Sequence, residues 1–145
     1  MNEIEHIIAK NEEIWTSTPV SLTVINECET RLDLKFPPSY RTFLSKFGTM
    51  DVAGNFISGI IDNSLDDLGG GSVLGDTLYF REECQLPNNL IVIQADDEAP
   101  YCLDINNGDS ECVVVCFELH SGHSKVIASS FLEWIGLFVL GASND

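Results

Sequence analysis

Residues 32–48 read LDLKFPPSYRTFLSKFG, and this stretch predicts the short helix around which the fold is organised. Pro38 suits a first helical turn because its φ is fixed, and Gly48 can adopt the left-handed conformation that ends a helix. Large apolar residues between them recur at i, i+3, i+4 and i+7 and so share one face: Tyr40, Phe43, Leu44 and Phe47. We expect this face to be buried in the core.

Further helices are predicted before and after this stretch. Apolar residues at helical spacing predict an amphipathic helix over 2–15, and Ser21 is a suitable N-cap for a second helix that ends near Leu34. A short helix is expected around 76–84. Ser130 and Glu133 have the spacing of a capping box, which predicts a final helix after Ser130.

Strands are predicted mainly in the second half of the chain. The segment 53–61 is typical of one or two strands with glycine breaks, and the apolar run 90–93 predicts a strand in the centre of a sheet. Strands at 101–105 and 112–119 follow, separated by the hairpin signal Asn107-Gly108. The pattern predicts an α+β fold with N-terminal helices, a mainly antiparallel sheet of four to six strands, and a C-terminal helix packed on it.

The 32–48 stretch also carries a family resemblance. A helix ending in Glu-x-x-Leu, a short link, then Leu/Phe-Pro-x-x-Tyr-x-x-Phe-Leu and a glycine resembles the signature of the SUKH superfamily, the Smi/Knr-like domains. The matching positions are Glu29, Leu32, Phe36, Pro37, Tyr40, Phe43, Leu44 and Gly48. Similar stretches precede Asp96-Asp97, cover 101–104 and open the last helix at 130–134, so that the resemblance spans about residues 20–140.

The resemblance implies one α+β domain, which we assign to residues 1–145. It also implies two functions. Bacterial SUKH members are commonly immunity proteins that neutralise toxins of polymorphic or contact-dependent systems, whereas fungal members regulate cell-wall synthesis. A chain of this size without disordered flanks is more similar to the bacterial members.

Composition indicates a soluble intracellular protein. The chain has 145 residues, of which 44% are apolar, enough to build one core. We find no signal-peptide pattern and no apolar run approaching the ~18 residues of a membrane span. An odd number of cysteines, five, favours reduced thiols in the cytoplasm over a disulfide framework.

The formal net charge of −16 constrains the partner. Repulsion from phosphate argues against nucleic acids and anionic membranes, and a basic protein partner is favoured because opposite fields accelerate association. An acidic surface that only maintains solubility explains the same charge, and both interpretations stay open. The oligomeric state is not indicated.

Two acidic loops are the candidate partner-binding sites. Asp96, Asp97 and Glu98 lie between two predicted strands, and a second loop precedes a glycine run expected to be mobile: Asp62, Asp66 and Asp67. Loops on a rigid scaffold commonly carry binding residues. We therefore expect both loops to contact a basic toxin, with a nuclease as the expected class because its phosphate-binding surface is basic.

We expect no metal and no cofactor. Cys112 and Cys116 precede His120 and His123 in a zinc-like order, but an extended strand would hold the cysteines about 13 Å apart at ~3.3 Å per residue, too far for one ion. The run 104–109 resembles a calcium loop, yet its glycine falls one place early and Val115 occupies the twelfth position, where a glutamate ligand belongs.

The expected function is therefore a non-catalytic immunity protein that binds a cognate toxin. A regulatory scaffold of the cell-wall type is the alternative, and a small-molecule or enzymatic domain is the third. A Cys–His nucleophile pair stays open at this stage, because its members would meet only in the folded chain.

Overall fold

The computed structural model describes residues 5, 6, 8, 13–105 and 110–144, and for 138–144 it describes the backbone alone. The helices in these ranges are α1 (Leu22–Leu32), α2 (Pro38–Phe47), α3 (Val73–Cys84) and α4 (Phe131–Asn144). The strands are β1 (Ile14–Thr16), β2 (Met50–Val52), β3 (Asn55–Ile57), β4 (Leu90–Gln94), β5 (Tyr101–Asp104), β6 (Val114–Phe117) and β7 (Ser124–Ala128). No helix within the described ranges is long and apolar enough to cross a membrane.

The α+β class is confirmed, but the strands form two sheets instead of one. One sheet has the order β1-β2-β3 and the other the order β4-β5-β6-β7, with every neighbouring pair antiparallel. The β2–β3 hairpin turns at Ala53 and Gly54, which both have positive φ, as a two-residue turn requires. Segment 53–61 contains one strand, β3, where we expected one or two, and β2 lies just before the segment.

The N-terminal prediction is partly wrong. Glu5, His6 and Ile8 are helical, but Ile14–Thr16 is strand β1, in which Trp15 pairs with Asp51. β-branched and aromatic residues suit a strand, and pairing with β2 overrides the helical spacing of the apolar residues. Glu13 forms a turn, and the rest of the predicted helix lies outside the described residues.

Strand β4 occupies a different position in its sheet from the one we expected. The run 90–93 predicted a central strand, yet β4 lies at the end of its sheet. Its outer edge is covered, because Val92 N–H donates to Thr77 Oγ1 at 3.0 Å and Ile93 O accepts from Ser58 N–H at 2.7 Å. Covering an edge in this way protects its backbone groups from other strands.

The helix predicted from residues 32–48 is confirmed. Pro38 is its first residue, and Gly48 has a φ of 72° immediately after its end. A Cβ at Gly48 would lie 2.5 Å from Thr18 O and 2.6 Å from Ile60 O, so the position needs glycine for space as well as for conformation. Tyr40, Phe43, Leu44 and Phe47 are all buried, as expected.

The glutamate of the SUKH-like motif, Glu29, has a buried carboxylate. Glu29 is 2% exposed, and its Oε2 accepts from Phe36 N–H at 2.7 Å while its Oε1 binds the Arg41 guanidinium. The carboxylate thereby holds the link between α1 and α2. A buried charge needs such partners, which gives the glutamate of the motif a structural role.

For the remaining helices and strands, the structure differs from the prediction mainly in the residues at which they begin and end. α3 begins at Val73, three residues earlier than expected, because Ser72 caps it and accepts from Gly75 N–H. The predicted strand 112–119 is shortened to β6. Ser130 Oγ accepts from Glu133 N–H at 3.1 Å, which confirms this N-terminal cap of α4. The Asn107-Gly108 turn lies outside the described residues, although β5 and β6 pair as the hairpin requires.

The four-stranded sheet is apolar on both faces. Ile91, Ile93 and Leu103 belong to the main core with α2 and α4, whereas Val92 and Cys102 pack in a second cluster with Phe80 of α3. Alternate residues of a strand point to opposite faces, so α3 covers the face that the other helices leave.

Phe43→Ala should lower the free energy of unfolding by about 3–5 kcal/mol. Its ring is fully buried and lies 5.1 Å from the Phe131 ring and 5.9 Å from the Phe47 ring, so truncation leaves a cavity between α2 and α4. Urea denaturation measures the change, with the exposed Leu22→Ala as control. A midpoint equal to that of the parent would show that this helix does not organise the core.

Candidate functional site

The acidic loop 95–100 and the turn 118–123 lie at the same end of the four-stranded sheet. The loop joins β4 to β5, and the turn joins β6 to β7. Two backbone bonds hold them together: Leu119 N–H donates to Glu98 O, and Phe117 N–H donates to Pro100 O, both at 3.0 Å. The antiparallel order of the strands therefore places Glu118 next to the predicted acidic residues.

A cleft of about 680 Å³ lies between this loop, this turn and the end of α3. We call it the acidic cleft because three carboxylates line it: Asp97, Glu98 and Glu118. The other lining residues are Cys84, Gln85, Ala99, Leu119 and His120. Among the residues that the structure describes, no lysine or arginine lines the cleft, so its described lining favours cations.

Asp96 shapes the acidic loop. Its Oδ1 accepts from Glu98 N–H and Ala99 N–H, both at 2.9 Å, which is the hydrogen bonding of an Asx turn. The bonds from Ala99 and Glu98 lower the pKa of the Asp96 carboxyl. Asp96 is therefore the residue that fixes the loop, while Asp97 and Glu98 face the cleft.

A second, smaller cleft of about 310 Å³ lies on the other side of Asp96. Asp76 in its wall is nearly buried, and its Oδ2 accepts from Ser58 Oγ–H at 2.7 Å and Gly71 N–H at 3.3 Å. Burial raises the pKa of this carboxyl, and the two hydrogen bonds oppose that rise. Gln94 also lines the cleft, and its Oε1 is buried without a hydrogen-bond partner in the described part of the chain.

The other predicted loop is tied to the scaffold, but its acids line neither cleft. Asp62 N–H donates to Ser17 Oγ at 3.1 Å, and Asp67 Oδ1 accepts from Gly69 N–H at 3.0 Å. The glycine run that we expected to be mobile ends at Gly71, which is buried against the Phe56 ring with a φ of 96°. Asp62, Asp66 and Asp67 themselves are exposed.

None of the six predicted acids forms an ion pair among the residues that the structure describes. The ion pairs found within the described ranges are Arg31–Glu27, Arg41–Glu29 and Lys46–Glu5. They involve none of the six predicted residues and neither Glu118 nor Asp76. Lys125 pairs opposite Cys116 at this end of the sheet, and it forms no ion pair with Asp97, Glu98 or Glu118 in the described part of the chain.

The sequence profile of the SMI1-KNR4 cell-wall family (SUKH_5) matches residues 1–139. The chain belongs to this SUKH family. The match extends well beyond the 32–48 stretch and includes α3, the acidic loop and most of α4. The expected resemblance is confirmed.

The shifted pKa values of Cys28, Cys102 and Cys116 in this SUKH protein disfavour these three thiols as nucleophiles. Burial raises the pKa of Cys28 and of Cys102 to about 12, and it also raises the pKa of Cys116. Since the thiolate is the reactive form, these three cysteines are protonated at neutral pH.

The zinc-like run does not converge in the structure. Cys112 Sγ lies 4.0 Å from Ser110 O, Cys116 Sγ lies 3.6 Å from Ala99 O, and both histidines are exposed. Within residues 13–105 and 110–137, no group of three or more His, Cys, Asp or Glu side chains is arranged to hold a metal ion. The calcium-like run lies mostly outside the described residues.

Sequence reasoning missed Glu118 and Asp76, for different reasons. Glu118 joins the site through the pairing of β6 with β7 and the bond to the acidic loop, neither of which leaves a local signal. Asp76 follows the cap residue Ser72 by four positions, a spacing that is common at helix starts.

Asp76→Asn should stabilise the SUKH protein at neutral pH, and the gain should shrink as the pH falls. The pKa of the Asp76 carboxyl is higher in the folded protein than in the unfolded chain. Its protonated form therefore stabilises the fold at a pH below the unfolded pKa, and this stabilisation is lost as the pH rises through the folded pKa. Asparagine stays neutral and can still accept from Ser58 and Gly71. Urea denaturation between pH 4 and pH 8 measures the difference.

The exposed Asp66→Asn is the matched control for this change. The free energy of unfolding of Asp66→Asn, relative to that of the parent, should vary with pH far less than that of Asp76→Asn. A stability difference for Asp76→Asn that is constant with pH, or that grows in acid, would contradict the proposed cost of ionising this buried carboxyl.

Proposed function

We propose that this SUKH protein is an immunity protein that binds a basic toxin at the acidic cleft and blocks it without catalysis. The observation that carries the proposal is the set of three carboxylates, Asp97, Glu98 and Glu118, around a cleft whose described lining contains no lysine or arginine. Membership of the SUKH family supports a domain of this type. The expected toxin is a nuclease, and the expected site of action is the cytoplasm.

The proposed mechanism is competition for the toxin's phosphate-binding surface. A nuclease holds its substrate through arginine and lysine side chains that contact phosphate oxygens. The carboxylates of the acidic cleft offer these arginine and lysine side chains oxygen atoms that are negatively charged, as the phosphate oxygens are. Because opposite fields steer the two proteins together, association is fast and salt-dependent.

The rigidity of the acidic loop supports tight binding. Asp96 closes an Asx turn, and the bond from Leu119 N–H to Glu98 O ties the loop to the neighbouring turn. A loop that is ordered before binding loses less conformational entropy on forming a complex. Asp97 and Glu98 are therefore preorganised in the free protein.

A regulatory scaffold is the second candidate, because the matching family is named for the SMI1 and KNR4 cell-wall proteins. Such a scaffold would also bind proteins without catalysis, so the acidic cleft fits either function. Neutralisation of a toxin distinguishes them.

Charge reversal at the acidic cleft should distinguish its effect on toxin binding from the effect of the protein's overall negative charge. We expect the gene next to that of this chain to encode a large toxin, and the C-terminal domain of that toxin is the probe. Asp97→Lys with Glu98→Lys should slow association at low salt by at least about tenfold and weaken neutralisation, because the steering field is lost. Asp96 is left intact because it shapes the loop.

The matched control adds the same four positive charges on α1, as Thr23→Lys, Glu27→Lys and Thr30→Lys. None of these exposed residues lines the acidic cleft. Stopped-flow association and inhibition of the toxin are measured for both variants. Full neutralisation by the cleft variant with unchanged association would remove the acidic cleft from the interface, and a wild-type protein that neither binds nor protects would overturn the immunity function.

A further inference from the structure

Helix α3 is apolar on its outer side as well as on its inner side. Val73, Leu74 and Phe80 are buried against the sheet and the core, as expected for a surface helix. Leu78 and Tyr79 point the other way and are 40% and 58% exposed. A surface helix ordinarily has polar residues on its solvent face, so these two side chains need an explanation.

Leu68 extends this apolar surface. The chain crosses α3 at Gly75 so closely that a Cβ there would lie 2.1 Å from Leu68 O. Leu78 and Tyr79 follow Gly75 by three and four residues, and helical side chains lean toward the preceding turn. The Leu68 backbone thus lies one helical turn from Leu78 and Tyr79, and Leu68 is itself 45% exposed, so we group these three residues as the apolar patch.

Carboxylates surround the apolar patch on two sides. Asp66 and Asp67 directly precede Leu68, and Glu82 and Glu83 lie one helical turn beyond Leu78 and Tyr79. All four are exposed, and none forms an ion pair among the residues that the structure describes. An aromatic and aliphatic centre with a charged rim is the usual arrangement of a protein interface.

The carboxylates around the apolar patch favour some binding partners over others. A second copy of this chain would bring carboxylates against carboxylates, and lipid or nucleic-acid phosphates would be repelled in the same way. A protein surface with an apolar pocket ringed by lysine and arginine complements both the centre and the rim.

We propose that the apolar patch is the anchor through which this protein binds its basic partner, with Tyr79 inserted in an apolar pocket. The inference rests on the proposed function, because the partner is the same toxin. Cys84 and Gln85, at the end of α3, line the acidic cleft, and Gln85 follows Tyr79 by six residues, about 9 Å of helix. One partner can therefore cover both surfaces.

Patch and cleft have different roles. Burial of Tyr79 and Leu78 opposes dissociation and is little affected by salt, whereas the carboxylates mainly accelerate association. Asp66 and Asp67 act here as rim residues, which is a role consistent with their position outside both clefts.

The test uses the full chain and the neighbouring toxin domain, with kinetics measured at low and high salt. Leu78→Ala with Tyr79→Ala should raise Kd by about 30-fold or more, mainly through faster dissociation, and the loss should persist at high salt. Tyr79→Phe should retain most of the affinity because it keeps the ring. Asp66→Asn with Asp67→Asn should slow association, and this effect should fade as salt is raised.

Leu22→Ala is the matched control, because Leu22 is 62% exposed on α1 and is not part of the patch. It should leave Kd unchanged, and the melting temperatures of all variants should stay close to that of the parent. Should the double variant melt earlier, hydrogen exchange of the wild-type protein replaces it: toxin binding should protect residues 66–83, and no protection there would overturn the proposal.

The outcomes distinguish this inference from the proposed function. If the wild-type protein binds and neutralises the toxin but the Leu78–Tyr79 variant does so equally well, the patch is not the anchor and the immunity function stands. If the wild-type protein does not bind the toxin, the proposed function and this inference fail together. A dimer of the free protein in light scattering that Tyr79→Ala abolishes would assign the patch to self-association instead.

Discussion

The hydrogen bonds of Ser58 join the separate parts of this fold. Its N–H donates to Ile93 O in β4, its carbonyl accepts from the Tyr40 hydroxyl of α2, and its Oγ–H donates to Asp76 in α3, each at 2.7 Å. The residue is almost fully buried. Because unpaired polar groups are costly in the interior, the three elements hold one another in a single arrangement.

This junction also determines where the candidate surfaces lie. Ile93 is followed by Gln94 and then by the acidic loop, so anchoring β4 at Ser58 sets the position of Asp97 and Glu98. Anchoring Asp76 sets the start of α3, whose outer side carries Tyr79. The acidic cleft and the apolar patch thus depend on the same buried hydrogen bonds, although Asp97, Glu98, Leu78 and Tyr79 take no part in them.

Local sequence determined the helices and the family. The limits of α2 follow from Pro38 and Gly48, and its buried side follows from aromatic spacing, because each of these preferences acts within a few residues. Ser21 and Ser130 mark helix starts for the same reason. The acidic loop was predictable as an exposed turn between strands.

Tertiary structure decided what local preference leaves open. Ile14–Thr16 is a strand because β2 is available to pair with it. Strand β4 is apolar because both faces of its sheet are buried, and Thr77 and Ser58 pair with its backbone at the sheet edge. Glu118 reaches Asp97 and Glu98 through strand pairing, and the apolar patch forms where Leu68 crosses α3. These contacts join residues that are distant along the chain, so their free energy belongs to the packed fold and leaves no periodic signal in the sequence.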